Sequence, residues 1–191
     1  MVDLDEIYDL KGIYYLRQAY IHASKNSIDP STHTGVVIVR DNKILVKGAN
    51  HGPGCLLVPN EILCSPEKYN WVEHAEQNAV HEAAKLGIRL KGSTIYSPWF
   101  PCSPCGSAII GAGIEEVVTH KELQDLSAKL DMTWGDSQKR AAEWFETKGI
   151  RHRDVSGMIG EDVPIFFKGK AYRQDKDMIL KPYSEEHKNF L

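Results

Sequence analysis

Between Gly35 and Val155 the sequence repeatedly exchanges one periodicity for another, and this alternation is its strongest constraint on fold. Gly35-Val36-Val37-Ile38-Val39 is a continuous, mostly β-branched run that reads as a buried strand. Asp41-Asn42 supplies the turn into a second strand over Lys43 to Gly48. From Ala49 to Asn70 glycine, proline and asparagine break any period, so a long loop is expected. His74 to Leu86 then carries small or apolar residues at Ala75, Ala79, Val80, Ala83 and Ala84, a helical spacing that Gly87 closes. Ser93 to Ser97 reads as a strand, Ser103 to Ala112 as a helix stopped by Gly113, and Glu115 to Thr119 as a strand. Ser137 to Lys148 follows as a helix stopped by Gly149, with Ile150 to Val155 as the fifth strand. An amphipathic helix from Leu10 to about Ser24 precedes them all. The pattern predicts an α/β fold, a three-layer α/β/α sandwich on a five-stranded mixed sheet opened by a hairpin. Residues 1–156 are read as one domain. Residues 157–191 are read as a C-terminal extension, with a strand at Pro164 to Phe167 and a polar tail, packed on the domain or on a neighbouring subunit.

A chain of 191 residues can bury one full core, and 42% hydrophobic with 26% charged residues is ordinary for a globular protein. The formal net charge of −3, with Lys and Arg scattered, gives no footprint for a nucleic-acid polymer and favours a small substrate. No apolar run approaches the roughly 18 to 20 residues of a membrane helix. The acidic start Met1-Val2-Asp3-Leu4-Asp5-Glu6 is unlike a signal peptide, so a cytoplasmic location without membrane contact is expected. In that setting Cys55, Cys64, Cys102 and Cys105 are expected to be free thiols or metal ligands, not disulfides.

Two short motifs fall at successive helix starts: His74-Ala75-Glu76, and Pro101-Cys102-Ser103-Pro104-Cys105. Cysteines three apart on a helix share a face and can offer two sulfurs to one ion. With one imidazole they complete the three-ligand set of a catalytic zinc that keeps a fourth position for water. His74 and Glu76, two apart, would diverge in mid-helix, but at a helix start they can converge beyond the end of the axis. Two helix N-termini aimed at the site would favour thiolates. An unligated carboxylate beside the metal can carry a proton from water to a ring nitrogen and a departing amine, which is the task open to Glu76. H-x-E joined to P-C-x-x-C resembles the signature of zinc deaminases. Either piece alone says little. H-x-E recurs by chance, and Cys-x-x-Cys divides among redox motifs, structural metal sites and accident. Trp99-Phe100-Pro101-Cys102-Ser103-Pro104-Cys105 even echoes a thioredoxin-like motif, a reading that leaves His74 and Glu76 without a role.

Leu10 to Val155 resembles the zinc-dependent cytidine and deoxycytidylate deaminase family, most of all its deoxycytidylate (dCMP) deaminases. Ser24-Lys25 with Asp29-Pro30-Ser31-Thr32 resembles the family's approach to its first strand, and Thr34-Gly35-Val36-Val37-Ile38-Val39 resembles its V-G-A-V-I-V. Gly48-Ala49-Asn50-His51-Gly52 stands where the family has G-Y-N-G. His74-Ala75-Glu76-Gln77-Asn78-Ala79-Val80 resembles H-A-E-M-N-A-I, and Thr94-Ile95-Tyr96 through Cys105 resembles its T-x-Y and P-C-x-x-C segment. The resemblance implies a deaminase domain over residues 1–156, one zinc ion held by His74, Cys102 and Cys105, and Glu76 as proton shuttle. Substrate contact is expected of Asn50, Ala75, Trp99, Phe100 and Lys25. Lys47, Arg151 and Arg153 join Lys25 as candidates for a phosphate, and Trp71 and Trp134 join the aromatic candidates. His51, Cys55 and Cys64 raise a second, structural zinc. His74, where cytidine deaminases carry cysteine, argues against a free-nucleoside enzyme of that type. Ala49 replaces the family's tyrosine, and Pro53 to Val72 has no firm counterpart. The implied reaction is hydrolytic deamination of dCMP to dUMP and ammonia, in a homo-oligomer. The alternatives are another amino-ring substrate (a modified cytosine nucleotide, a free base, a pterin or tRNA adenosine), or a non-catalytic zinc or thiol-redox module.

Overall fold

The structure, a computed structural model, describes residues 4–129, 135–174 and 180–182. Helix α1 (Leu4–Asn26) leads into the hairpin β1 (Gly35–Arg40) and β2 (Lys43–Ala49). A 3-10 turn at Pro53–Cys55 and two single-turn helices, α2 (Asn60–Leu63) and α3 (Lys68–Trp71), cross to α4 (Ala75–Lys85). There follow β3 (Thr94–Tyr96), α5 (Ser103–Ala112), β4 (Glu116–His120), α6 (Lys121–Lys129), α7 (Gly135–Lys148) and β5 (Arg151–Val155). The chain ends in β6 (Ile165–Phe167), β7 (Lys170–Gln174) and β8 (Leu180–Pro182).

Five strands form one mixed sheet in the order β2-β1-β3-β4-β5. β1 runs antiparallel to β2 and β3, whereas β3, β4 and β5 are parallel. Asp41 and Asn42, with φ of 53° and 58°, make the hairpin a type I′ turn, whose twist matches that of the flanking strands. Side chains alternate across a strand, and the core divides accordingly. Val36, Ile38, Ile95 and Val117 face Ala75, Ala79 and Ala83 of α4, Ile109 of α5 and Phe145 of α7. Val37, Val39, Tyr96 and Val118 face Tyr15, Leu16, Ala19 and Tyr20 of α1 and Leu123 of α6. This is the three-layer sandwich that the alternation predicts, with α4 and α5 side by side on one face.

Two glycines have specific work. At Gly48 a Cβ would lie 2.3 Å from the Ala75 carbonyl and 2.6 Å from the Ala79 nitrogen, so only glycine lets the first turns of α4 rest on β2. Gly113, at φ 73°, ends α5 in the left-handed conformation.

The structure departs from expectation in three places. Helix α6 follows β4 with no break, the segment from Ala49 to Asn70 contains short helical turns, and the C-terminal strand expected at Pro164 to Phe167 is the edge of a second, three-stranded sheet, paired with β7. Ile159, Val163, Ile165, Phe167 and Tyr172 of this last segment pack into the α1 layer of the core. Phe167 and Leu16, both essentially inaccessible, each stabilise the fold by about 1.5 to 3 kcal/mol through burial. Gln174 is fully buried there, accepting the Ile159 N–H at 2.8 Å and donating to the Gly157 carbonyl at 2.8 Å. Among the described residues no helix is long and apolar enough to cross a membrane.

Candidate active site

His74 and Cys102 occupy equivalent positions: each is the extended N-cap residue of its helix, with φ, ψ of −68°, 154° and −73°, 169°. Because His74 lies outside the helical turn, the divergence of residues two apart does not apply to His74 and Glu76. The His74 Nδ1 atom lies 3.3 Å from Cys102 Sγ and 3.5 Å from Cys105 Sγ, and Glu76 Oε2 accepts a hydrogen bond from the Cys105 thiol at 3.4 Å. One donor atom each from His74, Cys102 and Cys105 falls within 4.8 Å of the others. A zinc ion with bonds of about 2.0 Å to nitrogen and 2.3 Å to sulfur holds tetrahedral N and S ligands roughly 3.6 Å apart, so the separations fit one ion.

The protonation of the cluster supports the same fit. Cys102 is pulled down by a hydrogen bond from Cys105 and by His74, while Cys105 is pushed up by that same bond and by burial. His74 is raised by its hydrogen bond to Cys102. The three donor atoms already face one another, and a divalent cation placed among them would satisfy all three. Glu76 is 4% exposed, and burial raises its pKa above the usual carboxylate range.

The cluster opens on a cleft. His74, Glu76, Cys102, Asn50, Trp99 and Phe100 line it, together with Asp29, Ser31, Thr32, Thr34, Lys68, Tyr69 and Gln138. The Asn50 amide is oriented by its neighbours. Oδ1 accepts the Thr34 N–H at 2.6 Å and the Ser27 hydroxyl at 3.4 Å, which leaves the amide nitrogen as the donor to the cleft. Gln138 donates to the Phe100 carbonyl at 2.8 Å, and the Phe100 ring packs at 4.7 Å, edge to face, on His152.

Residues 11–121 match the cytidine and deoxycytidylate deaminase zinc-binding region. The chain belongs to this family. Over 112 residues it is 38% identical to the deoxycytidylate deaminase of Mus musculus and, over 112 residues, 36% identical to that of Homo sapiens. Each match covers 55% of this chain and 61% of the relative, so the chain spans less than two thirds of their length. An uncharacterized deaminase of Aliivibrio fischeri is 31% identical over 124 residues, 65% of this chain and 80% of its own. Among solved structures, the dCMP deaminase of cyanophage S-TIM5 in complex with dCMP and dUMP has a TM-score of 0.56 at 22% identity, covering 81% of this chain and 99% of that one. That likeness shows the deaminase fold.

In this family member the structure brings His74, Glu76, Cys102, Asn50, Trp99 and Phe100 to one cleft, with Cys105 buried behind it against His74 and Glu76. Two expected contacts are elsewhere. Ala75 is fully buried in the apolar layer of α4, where its small side chain serves packing, and it does not line the cleft. Lys25 is exposed in the last turn of α1, also off the cleft. Lys47 is exposed on β2, and Arg151 and Arg153 pair with Glu116 across β4 and β5. Trp71 is 39% exposed and does not line the cleft, and Trp134 lies outside the described residues. Cys55 and Cys64 are exposed, and among the described residues His74, Cys102 and Cys105 form the one group with metal-site geometry. Sequence reasoning missed Lys68, Tyr69, Gln138 and the carboxylate of Asp29. Asp29-Pro30 is legible as a turn, but nothing local says that its partner comes from Lys68, which lies in a stretch without periodicity.

Proposed function

We propose that the chain is a hydrolytic deaminase of a cytosine nucleotide, converting dCMP to dUMP and ammonia. The observation that carries this reading is the buried Glu76 carboxyl beside the His74, Cys102 and Cys105 trio, at the wall of a cleft flanked by Trp99, Phe100 and Asn50. The zinc ion those three side chains would hold supplies hydroxide near neutral pH by lowering the pKa of water to about 7.

The remaining work falls to the chain's own groups. Glu76 takes the proton released as water oxygen adds to C4 of the ring and passes it to ring N3. It then takes the remaining proton from the hydroxyl at C4 and delivers it to the amino group, the C4–N bond breaks with its electron pair leaving on nitrogen, and ammonia departs with C4 as a carbonyl. Burial of Glu76 favours its protonated form, which suits a carboxyl that must both take up and release a proton. The Asn50 amide N–H groups meet an acceptor on the sugar or base, and the rings of Trp99 and Phe100 bound the space for a flat heterocycle. The mouse and human deoxycytidylate deaminases and the dCMP-bound phage enzyme support dCMP over other amino-rings. We place the enzyme in the cytoplasm as a homo-oligomer, on the resemblance of residues 10–155 to the family; light scattering tests the latter.

The test is ammonia release from dCMP, dCTP, deoxycytidine, cytosine and a deoxyadenosine nucleotide by the zinc-loaded protein. Turnover of dCMP well above the others is expected. Equal or greater turnover of another compound would reassign the substrate, and none at all would reject deamination of a cytosine nucleotide.

A further inference from the structure

On the reading that the cleft takes a cytosine nucleotide, we infer that Lys68 binds the substrate's phosphate and sets the preference for nucleotide over nucleoside, with Asp29 as the residue that positions it. Among the described residues lining the cleft, Lys68 is the one lysine or arginine. The Lys68 and Asp29 side chains are each 12% exposed, and Lys68 Nζ lies 2.9 and 3.0 Å from the two Asp29 oxygens. An ammonium group has three N–H donors, and Asp29 takes two of them. The third is left for the cleft.

The position is built by both flanks. Asp29 Oδ1 also accepts the backbone N–H of Ser31 at 2.7 Å and of Thr32 at 3.3 Å, so the carboxylate locks the loop before β1 and the lysine from α3 together. Nζ sits 5.3 Å from the Tyr69 ring centroid, which restricts the other side. A flexible lysine stem held at both flanks loses less entropy on meeting an anion than a free surface lysine. A phosphate monoester carries close to two negative charges at neutral pH, and a charge-assisted hydrogen bond to it is shorter and stronger than a neutral one. A nucleoside offers no such acceptor and leaves the donor unused.

A pair that only stapled two loops together would affect nucleotide and nucleoside alike, and the experiment separates these roles. Wild type, Lys68→Met, Lys68→Arg and Asp29→Asn are each assayed on dCMP and deoxycytidine. Where deoxycytidine turns over too slowly, the inhibition constants of dUMP and deoxyuridine replace the kinetic values. Lys68→Met is expected to lower the nucleotide-to-nucleoside ratio about 10- to 100-fold, the loss of one hydrogen bond to a charged group, mainly through KM for dCMP. Lys68→Arg should restore most of the ratio. Asp29→Asn, which keeps an acceptor for Ser31 and Thr32, should raise KM for dCMP with little change in kcat. Should Lys68→Met fail to fold, inorganic phosphate serves on the wild type: it should compete with dCMP and spare deoxycytidine. Equal losses on both substrates, an unchanged ratio, or equal inhibition by phosphate would overturn the assignment of Lys68 alone. A wild type inert toward dCMP would overturn the nucleotide reading itself, and this assignment with it.

Discussion

The ring of Trp99, on the wall of the cleft, packs 4.8 Å from the ring of Phe167, which belongs to the second sheet. The same hairpin grips the loop before β1: the Gly169 N–H donates to the Ser31 carbonyl at 2.8 Å, and the His33 N–H to the Phe166 carbonyl at 3.0 Å. The C-terminal segment therefore holds two parts of the cleft wall at once. Phe167→Ala should destabilise the protein by about 3 to 5 kcal/mol in urea unfolding and raise KM for the nucleotide. Loss of stability with an unchanged KM would limit the hairpin to packing.

Glu76 touches Cys105 and is not one of the three metal donors, so its removal should separate catalysis from metal binding. Glu76→Gln keeps the shape of the side chain and removes a carboxyl whose burial disfavours charge. Turnover should fall by a factor of about 10² to 10⁴, with one zinc per chain by elemental analysis and no loss of thermal stability. Retained turnover would rule Glu76 out as the proton carrier. Chelation should abolish turnover in the wild type and expose Cys102, which lines the cleft, to alkylation before the fully buried Cys105.

The parts of the fold and site that were legible in the sequence are those whose signals are local. His74 and Glu76, and Cys102 and Cys105, sit in single helix starts, and Val36 to Val39 is too apolar to be anything but a buried strand. Helix α6 escaped because Lys121 follows His120 of β4 directly, with no glycine or proline to mark the change of period. β7 escaped because only Tyr172 and Gln174 of its side chains are buried, and a buried glutamine hides the alternation. The Asp29 and Lys68 pair joins a turn to a four-residue helix across 39 positions, a tertiary event with no trace in either segment. Lys25 stands in the family motif, yet it is exposed in the last turn of α1 and is not among the residues that line the cleft, although Asp29 four positions on is.

The contact of Gly48 with α4 gives a test at a distance from the chemistry. A methyl group there meets backbone atoms of Ala75 and Ala79, which cannot swing aside as a flexible side chain would. Gly48→Ala should cost about 1 to 3 kcal/mol and weaken zinc binding, because the displaced turn carries His74 and Glu76. Gly111→Ala in α5, where no atom lies within 4 Å of the added carbon, is the control and should be neutral or stabilising by about 0.5 to 1 kcal/mol. Equal behaviour of the two variants in metal titration would show that the packing of α4 on β2 does not set the site.

Glu122 ties the end of β5 to the core and should dominate part of the acid limb of stability. Its Oε1 accepts the Ser156 hydroxyl at 2.6 Å and the Gly157 N–H at 3.1 Å, and its Oε2 lies 2.9 Å from Nε2 of the fully buried His120. Among the described residues Oε2 has no other donor within reach of it than His120, whose alignment to it is poor. Burial alone would push this carboxyl up, but His120 and Ser156 outweigh it and hold it at about 2, below its ordinary 4.5. A depressed folded pKa means that the unfolded chain takes up the proton first as pH falls. The contribution of Glu122 is thus complete above pH 4.5 and is lost between 4.5 and about 2. Urea midpoints of metal-free wild type and Glu122→Gln, measured across that range, should differ most at its upper end and converge toward its lower end. A constant gap at every pH would mean that Glu122 acts by its shape and not by its charge.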